Sequence, residues 1–356
     1  MRTTEPASEG PTGADTGGAP SVTATGGSGR ARRVLAYVLG RLMTAVVSLF
    51  AVIVAGFFLF RILPGDPVRA MTEGREVTAE QREELRRQFG LDQPLWRQFL
   101  DYAEGLLRLD LGVSFQYRES VVDLILERLG PTILLAGTGT VIAALLGLFL
   151  GSRAGWKPGG RGDRVNTAIA LFFWSVPTFW LGLLLIVLLA SGRGFMPGLF
   201  PTGGMVDPGL TGSLERALST ARHMVLPVIT MVAVIYAQYL MIMRSSLMDE
   251  KGADYLTTAR AKGLRDVLVR RRHAVPNALL PTVTLIFLNL GQVVSGVILV
   301  ETVFSWPGLG QLFYSGLGVP DLGLVQGLFV VFAASVILMN LLADLVYPLL
   351  DPRVRP

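Results

Sequence analysis

The sequence contains no cysteine and only two histidines among its 356 residues. Without cysteine the chain forms no disulfide, has no catalytic thiol and lacks the thiolate ligands of zinc and iron–sulfur sites. His223 and His273 alone do not favour a histidine-based metal site within one chain. We therefore expect no metal site and no cofactor in this chain.

Charged residues are also scarce, because they make up 17% of the chain whereas soluble domains carry about 25%. Hydrophobic residues reach 51% and come in long blocks, which is typical of membrane spans and not of soluble cores. The net charge of +5 would also suit a nucleic-acid-binding protein. The basic residues alternate with apolar blocks, however, so we attribute them to orientation in a lipid bilayer and expect no nucleic-acid partner.

Several enzyme and carrier motifs are missing as well. The sequence has no Gly-x-x-x-x-Gly-Lys-Ser/Thr run, which predicts that the chain does not hydrolyse ATP itself. An intramembrane protease would need paired Asp residues, a Ser/His set or a His-Glu-x-x-His run within its spans, and we find none. A secondary carrier would show internal repeats with matching broken helices, and we find no repeat. These absences predict a chain without catalytic residues.

Six apolar blocks are each long enough to cross a bilayer, which takes about 20 helical residues. They are residues 42–60, 132–151, 168–190, 224–243, 282–303 and 324–347. The first follows a cluster of arginines, as a signal peptide would, but it is longer and lacks a small-residue cleavage site. The pattern therefore predicts an all-α membrane protein with six transmembrane helices.

The blocks also predict the organisation of the chain. We expect a disordered tail at 1–29, a first transmembrane helix within 30–61, an outer loop with short helices at 62–131, a five-helix core at 132–350 and a tail at 351–356. Basic residues concentrate in loops 152–167 and 244–281, whereas loop 304–323 has none. By the positive-inside rule both termini are predicted to be cytoplasmic.

The outer loop contains two helix signals. Thr78 and Gln81 have the spacing of a capping box that opens a helix through Arg87. Beyond Pro94, an apolar stripe predicts a second helix; its members are Leu95, Phe99, Tyr102 and Leu106. These helices either pack on the spans and the bilayer surface or form a docking surface for an external partner, and we favour the first interpretation.

The inner loop 244–281 is the most informative segment. Residues 255–262 are acceptable helix formers and are followed by Gly263, a residue type that commonly ends helices in the left-handed conformation. A second short helix is predicted from Leu264 to the residues before Pro276. Two short helices with a glycine elbow form a compact knob that can transmit force from a soluble motor. The alternative is a basic loop that rests on lipid headgroups.

This loop resembles the conserved cytoplasmic loop in permease subunits of bacterial ABC importers. Ala259, Gly263 and Pro276 stand at the spacing of the conserved residues of that loop. The fuller string Thr258-Ala-Arg-Ala-Lys-Gly-Leu264 is similar to the dipeptide/oligopeptide/nickel branch. Further matches follow in the same order along residues 35–355. They include Leu63-Pro-Gly-Asp-Pro67, Ser175-Val-Pro-Thr178 and Glu301-Thr-Val-Phe-Ser-Trp-Pro-Gly-Leu-Gly310. The motif found in importer permeases in general opens with Glu-Ala-Ala, whereas this chain has Thr257, Thr258 and Ala259. We therefore expect no single acidic residue to couple this chain to its ATPase.

The resemblance implies a binding-protein-dependent importer in the bacterial cytoplasmic membrane. Its expected partners are cytoplasmic ABC ATPase subunits that bind ATP and Mg, a second homologous permease subunit, an extracytoplasmic solute-binding protein and the lipid bilayer. The inner loop would couple the chain to the ATPase. The residues assigned to this coupling loop are Tyr255, Thr258, Ala259, Arg260, Ala261, Lys262, Gly263 and Pro276.

Polar residues inside the spans are the candidates for the translocation path, since such residues usually face a cavity or another helix. The candidates are Gln238, Asn289, Gln292 and Ser295. Hydrogen bonding between helices is the equally common alternative, and we favour it for Asn340 and Asp344. Trp306 is expected to anchor a span end at the bilayer interface.

The cargo is predicted to be a short peptide, because the candidate path residues are uncharged and the spans contain no histidine for nickel. Nickel or another small solute remains the alternative within the same branch.

Overall fold

The computed structural model describes residues 27–62, 68, 78–88, 91–192, 198–294, 298–319 and 321–350. Within these residues the secondary structure is helical, apart from one isolated bridge between Val113 and Ser120. The helices described are α1 (Gly27–Ile62), α2 (Ala79–Gln88), α3 (Leu95–Leu107), α4 (Val121–Trp156), α5 (Arg161–Ser175), α6 (Thr178–Ala190), α7 (Ser213–Glu250), α8 (Asp254–Ala261), α9 (Asp266–Ala278), α10 (Leu280–Val294), α11 (Ile298–Val303), α12 (Leu309–Gly318) and α13 (Leu322–Leu350).

Four of these helices, α1, α4, α7 and α13, are individually long and apolar enough to cross a membrane. Two further apolar segments are bent pairs, α5 with α6 and α9 with α10, at angles of 96° and 53°. Counting each bent pair as one span gives up to six spans. The all-α membrane fold is confirmed.

The expectation of one continuous span at 168–190 is wrong. The chain turns by 96° between Ser175 and Thr178, and α5 already begins at Arg161. The cause is Pro177, whose ring disfavours the helical conformation in the preceding residue. Val176 accordingly has an extended backbone, with φ −81° and ψ 128°.

The helices also extend beyond the predicted apolar blocks. α7 has 38 residues, and α4 begins at Val121, inside the segment predicted as an outer loop. Residues 27–29 of the predicted disordered tail belong to α1, while 1–26 and the tail 351–356 lie outside the described residues. The apolar blocks marked only the parts of the helices expected in the hydrocarbon.

α4 and α7 form a close helix pair, and three glycines of α4 make this possible. Gly147, Gly151 and Gly155 lie four residues apart, so they share one face of the helix. A Cβ atom added at any of them would come within 2.5–2.6 Å of α7 atoms. Small residues at such spacing let two transmembrane backbones approach closely.

α1 packs on α13 through polar and aromatic contacts. The Arg41 guanidinium lies 3.1 Å from the Asp344 carboxylate, and the Tyr37 hydroxyl donates to the Asp344 backbone carbonyl at 2.9 Å. Phe60 and Phe329 stack edge to face at 5.9 Å. The interpretation of Asp344 as an interhelical contact is confirmed.

The outer-loop helices have the predicted local chemistry. Thr78 and Gln81 exchange reciprocal side-chain-to-backbone hydrogen bonds of 2.9 and 3.2 Å, so the capping box that opens α2 is confirmed. On α3, Phe99 and Tyr102 contact the fully buried ring of Phe57, with centroids 5.3 and 5.7 Å apart. This helix packs on the first span, as we favoured.

A buried carboxylate joins α11 to α4. Glu301 is fully buried, and it accepts hydrogen bonds from the Thr132 hydroxyl at 2.9 Å and the Gln311 backbone amide at 3.1 Å. The interface role expected for Trp306 is wrong, because Trp306 is fully buried and its indole donates to the Pro131 carbonyl at 3.0 Å. The chain folds back after α11 and carries the indole into the interior.

Candidate functional site: the two short helices between residues 254 and 278

α8 is a short amphipathic helix that leaves α7 through only three residues, 251–253. Leu256 is fully buried and Ala259 is 5% exposed, so one face of α8 is docked against the rest of the chain. The opposite face carries Thr258, which is exposed. A helix held by one face presents the other face in a fixed orientation.

Gly263 ends α8 in the left-handed conformation that the sequence predicted, with φ +79°. Its amide donates to the Arg260 carbonyl at 2.9 Å, and the next amide, that of Leu264, donates to the Ala259 carbonyl at 3.4 Å. This pair of bonds is the Schellman arrangement, which satisfies carbonyls at a helix end. The glycine elbow is therefore a defined turn, and it fixes the direction in which the chain leaves α8.

An apolar cluster supports the two short helices. It joins α4 and α7 to α8 and α9 through buried side chains: Trp156, Met243, Leu247, Leu256, Ala259, Val269, Ala274 and Ala278. Such a cluster gives the segment its own packed core, which a loop resting on headgroups would lack. The two short helices with a glycine elbow predicted for this loop are thus present and packed on the spans, while their coupling role stays a prediction; after that predicted role we call α8, the elbow and α9 the coupling unit.

The expected end of the second short helix before Pro276 is wrong. α9 continues through Pro276 to Ala278, with a π-helical turn at Arg270–Ala274 just before the proline. Proline lacks an N–H and its ring clashes with the carbonyl four residues earlier. The wider π turn accommodates both effects, so the chain passes Pro276 without a break.

Polar contacts fasten both ends of α8. At its start the Tyr255 hydroxyl donates to the Glu250 carboxylate. Near its end Arg260 lies 3.6 Å from the Asp266 carboxylate, which also accepts a 2.6 Å hydrogen bond from the Trp156 indole. Sequence reasoning missed Trp156 and Asp266 because they lie 110 residues apart and belong to no recognised motif.

A second polar cluster ties α5 to α7 beside the coupling unit. The Asp163 carboxylate binds the Arg244 guanidinium through two hydrogen bonds of 2.6 and 2.9 Å. It also accepts a bond from the Gly159 amide at 2.8 Å and one from the Thr167 hydroxyl at 3.2 Å. Two-pronged pairing of this kind fixes geometry as well as adding energy.

The structure describes the side chains of two of the four predicted path residues, and the path role of all four stays a prediction. Asn289 is half-buried and its amide donates to the Tyr239 hydroxyl at 2.8 Å, which joins α10 to α7. Gln238, on α7, is also half-buried. The Gln292 side chain and Ser295 lie outside the described residues, so their role in the path stays a prediction.

Among the described residues, no group of three or more His, Asp or Glu side chains has the arrangement of a metal site. The prominent features of the site are a docked helix, α8, and the hydrogen bonds and ion pair at its two ends.

Comparison with known sequences shows matches to two family profiles that together cover nearly the whole chain. Residues 143–356 match the profile of the family described as "Binding-protein-dependent transport system inner membrane component". Residues 34–136 match a companion profile, "Binding-prot-dependent transport system membrane comp, N-term". The two matches together include α1, the outer-loop helices and the coupling unit.

Curated relatives cover the same length. The chain is 35% identical over 336 residues to the dipeptide transport system permease protein DppB of Escherichia coli K12, covering 90% of this chain and 99% of the relative. It is 34% identical over 333 residues to the di/tripeptide transport system permease protein DppB of Pseudomonas aeruginosa, and 35% identical over 322 residues to the glutathione transport system permease protein GsiC of Escherichia coli O6:H1. Both matches cover 90% of this chain and 99% of the relative.

Proposed function

The chain belongs to the family of binding-protein-dependent transport system inner membrane components, and we propose that it is the permease subunit of an ATP-driven importer for di- or oligopeptides. The observation that carries the proposal is the coupling unit, in which α8 is docked by Leu256 and Ala259 and exposes its other face. A motor subunit needs such a rigid projection in order to move the spans.

The coupling unit is the surface to which a cytoplasmic ABC ATPase subunit docks. Its exposed positions include Thr258, Arg260, Lys262 and Gly263. Rotation of α8 is passed to α7 through the three-residue connection and to α4 and α7 through the apolar cluster. ATP binding and hydrolysis in the partner thereby change how the spans pack.

The permease itself is non-catalytic and binds no cofactor, since the sequence has no phosphate-binding loop and ATP and Mg belong to the partner ATPase. A second homologous permease subunit and an extracytoplasmic solute-binding protein complete the transporter. The chain lies in the bacterial cytoplasmic membrane with both termini inside. The distribution of basic residues supports this orientation.

Two or three linked amino acids are the cargo class that the relatives favour. Two of them are named as dipeptide or di/tripeptide permeases, and a third is named for glutathione. The half-buried Gln238 and Asn289 are uncharged amides, which suits a path that must release a zwitterion without binding it tightly. Nickel or another small solute is the alternative cargo within the same permease type.

The proposal is tested by uptake of labelled di- to pentapeptides in cells with and without this chain, followed by ATP-driven uptake in proteoliposomes that contain the complete complex. We expect uptake to require both the chain and ATP, and a catalytically dead partner ATPase is the control. Unchanged peptide uptake after deletion, together with reduced nickel or sugar uptake, would contradict the cargo assignment. Accumulation without any ATPase subunit would contradict the importer assignment and favour a secondary carrier.

A further inference from the structure

α8 is attached to the spans at both of its ends, and the two attachments differ in kind. At its start the connection is the chain itself, residues 251–253, supported by the bond between Tyr255 and Glu250. A Cβ added at Gly252 would meet nothing within 4 Å, so this connection is exposed and its side chains are not packed against the spans at this position. At its end the attachment is made by side chains that lie far apart in the sequence.

This second attachment is a triangle of three side chains from three helices. The Trp156 indole N–H, at the end of α4, donates to the Asp266 carboxylate of α9 at 2.6 Å. The Arg260 Nε atom of α8 lies 3.6 Å from the other carboxylate oxygen. The Arg260 guanidinium also lies over the Trp156 ring, 5.5 Å from its centroid. We call this set the Trp156 clasp.

The bond between Trp156 and Asp266 is the strongest edge of the triangle. Hydrogen bonds to a charged acceptor stabilise more than neutral ones, whereas exposed ion pairs contribute little. The side chains of Arg260 and Asp266 are 40% and 58% exposed, so their mutual attraction is screened by water. Trp156 is only 5% exposed, and a buried indole N–H needs a partner.

The end of α4 is itself fixed to α7. A Cβ added at Gly155 would lie 2.6 Å from the Arg244 carbonyl, which shows how closely the two backbones approach beside Trp156. α8 is therefore connected by its start to α7, whereas its end is connected to α4 through the elbow and the bond between Asp266 of α9 and Trp156. A short helix held at one end pivots about that end, whereas one held at both ends passes its rotation to both spans.

We propose that Trp156 and Asp266 are positioning residues that convert movements of α8 into movements of α4, and this inference depends on the proposed function. Without the clasp the ATPase would still bind and hydrolyse ATP, and α8 would stay docked through Leu256 and Ala259, but the end of α8 would be free to move relative to α4. The transporter would then move less solute for each ATP consumed. Neither residue belongs to the coupling loop assigned from the sequence motif.

The test compares D266A with D249A in the complete transporter. Both substitutions remove one exposed carboxylate from the cytoplasmic side, and Asp249 lies at the end of α7 outside the clasp. Uptake of labelled di- to pentapeptides and ATP hydrolysis are measured in the same proteoliposomes. Because one hydrogen bond to a charged group shifts an equilibrium by on the order of tenfold, we expect D266A to lower the ratio of solute to ATP by about that factor.

Two further variants separate the hydrogen bond from the charge. D266N keeps an acceptor for the indole, so it should retain most of the coupling ratio. W156F keeps an aromatic ring but loses the N–H, so it should behave like D266A. W180F, at a half-exposed tryptophan of α6, is its matched control.

Each outcome bears on the clasp. A ratio in D266A and W156F equal to that of their controls overturns the proposal. Loss of the ATPase during purification of D266A also overturns it, because Asp266 would then build the docking surface and not the link to α4. If wild-type proteoliposomes show no ATP-driven uptake, the proposed function fails instead, which is a separate result.

Discussion

Replacement of Gly263 by valine tests whether the elbow after α8 must be left-handed. Gly263 has φ +79°, and a Cβ added there would meet nothing within 4 Å. The cost of a side chain is therefore a cost in backbone conformation and not in packing. For an L-residue the left-handed region costs roughly 1–2 kcal/mol, and a β-branched residue tolerates it least.

That cost acts directly on the end of α8. It shifts the equilibrium between the observed elbow and other conformations by about 5- to 30-fold. The bonds at risk are those from Gly263 to Arg260 and from Leu264 to Ala259, 2.9 and 3.4 Å long. We expect G263V to insert into the membrane normally, because the buried face of α8 is unchanged, and to lower the amount of solute moved per ATP several-fold.

The assay is the paired measurement of uptake and ATP hydrolysis in proteoliposomes, with two controls. G263N should retain most of the coupling, since asparagine visits the left-handed region more readily than other residues with a side chain. G252V places the same side chain in the exposed connection before α8, where the added Cβ also meets nothing within 4 Å and no positive φ is required. Normal coupling in G263V, or equal losses in G263V and G263N, would refute the argument from backbone conformation.

Three other predictions follow from the same structure and sequence. Cysteine introduced at the exposed Gly318 should react with an impermeant thiol reagent from outside, and cysteine introduced at the exposed Gly160 should react only from inside. The reverse pattern would contradict the predicted orientation. The absence of native cysteine removes background labelling. The purified chain alone should not hydrolyse ATP, and turnover that persists after removal of every partner ATPase would contradict this. G151A should lower the stability of the solubilised protein by about 1–3 kcal/mol through overpacking, whereas G137A, on the same helix with nothing within 4 Å of the added Cβ, should not; equal thermal midpoints would contradict the observed approach of α4 and α7.

The features that the sequence predicted correctly depend on short-range chemistry. The capping box of Thr78 and Gln81 and the left-handed Gly263 involve residues within a few positions of one another. The helix that contains Phe99 was also predicted from its apolar stripe, because helical periodicity places the members of the stripe on one face. Each of these signals acts over one or two turns of helix, and a single sequence contains it completely.

The features that the sequence missed depend on contacts between distant segments. Trp306 is of a residue type and at a position typical of an interface anchor, but its indole donates to the Pro131 carbonyl, 175 residues away in the sequence. The Trp156 clasp likewise spans 110 residues. Pro177 disfavours helix in the residue before it, but we predicted no break in the third apolar block, and nothing in the sequence specified a turn of 96°. Such pairings are set by how the helices assemble, which hydrophobic blocks alone do not encode.

α4 makes polar contacts at two well-separated positions, at Thr132 within its first third and at Trp156, its last residue. Thr132 donates to Glu301 and accepts a 2.7 Å bond from the Leu309 amide, and Trp156 binds Asp266. The 24 helical steps from Thr132 to Trp156 correspond to about 36 Å of helix, more than the thickness of the hydrocarbon core. Because Gly147 and Gly151 hold α4 closely against α7 along this length, the two helices cannot slide independently without separating their backbones. We therefore expect a displacement at Trp156 to reach the segment around Glu301 as a movement of the α4–α7 pair.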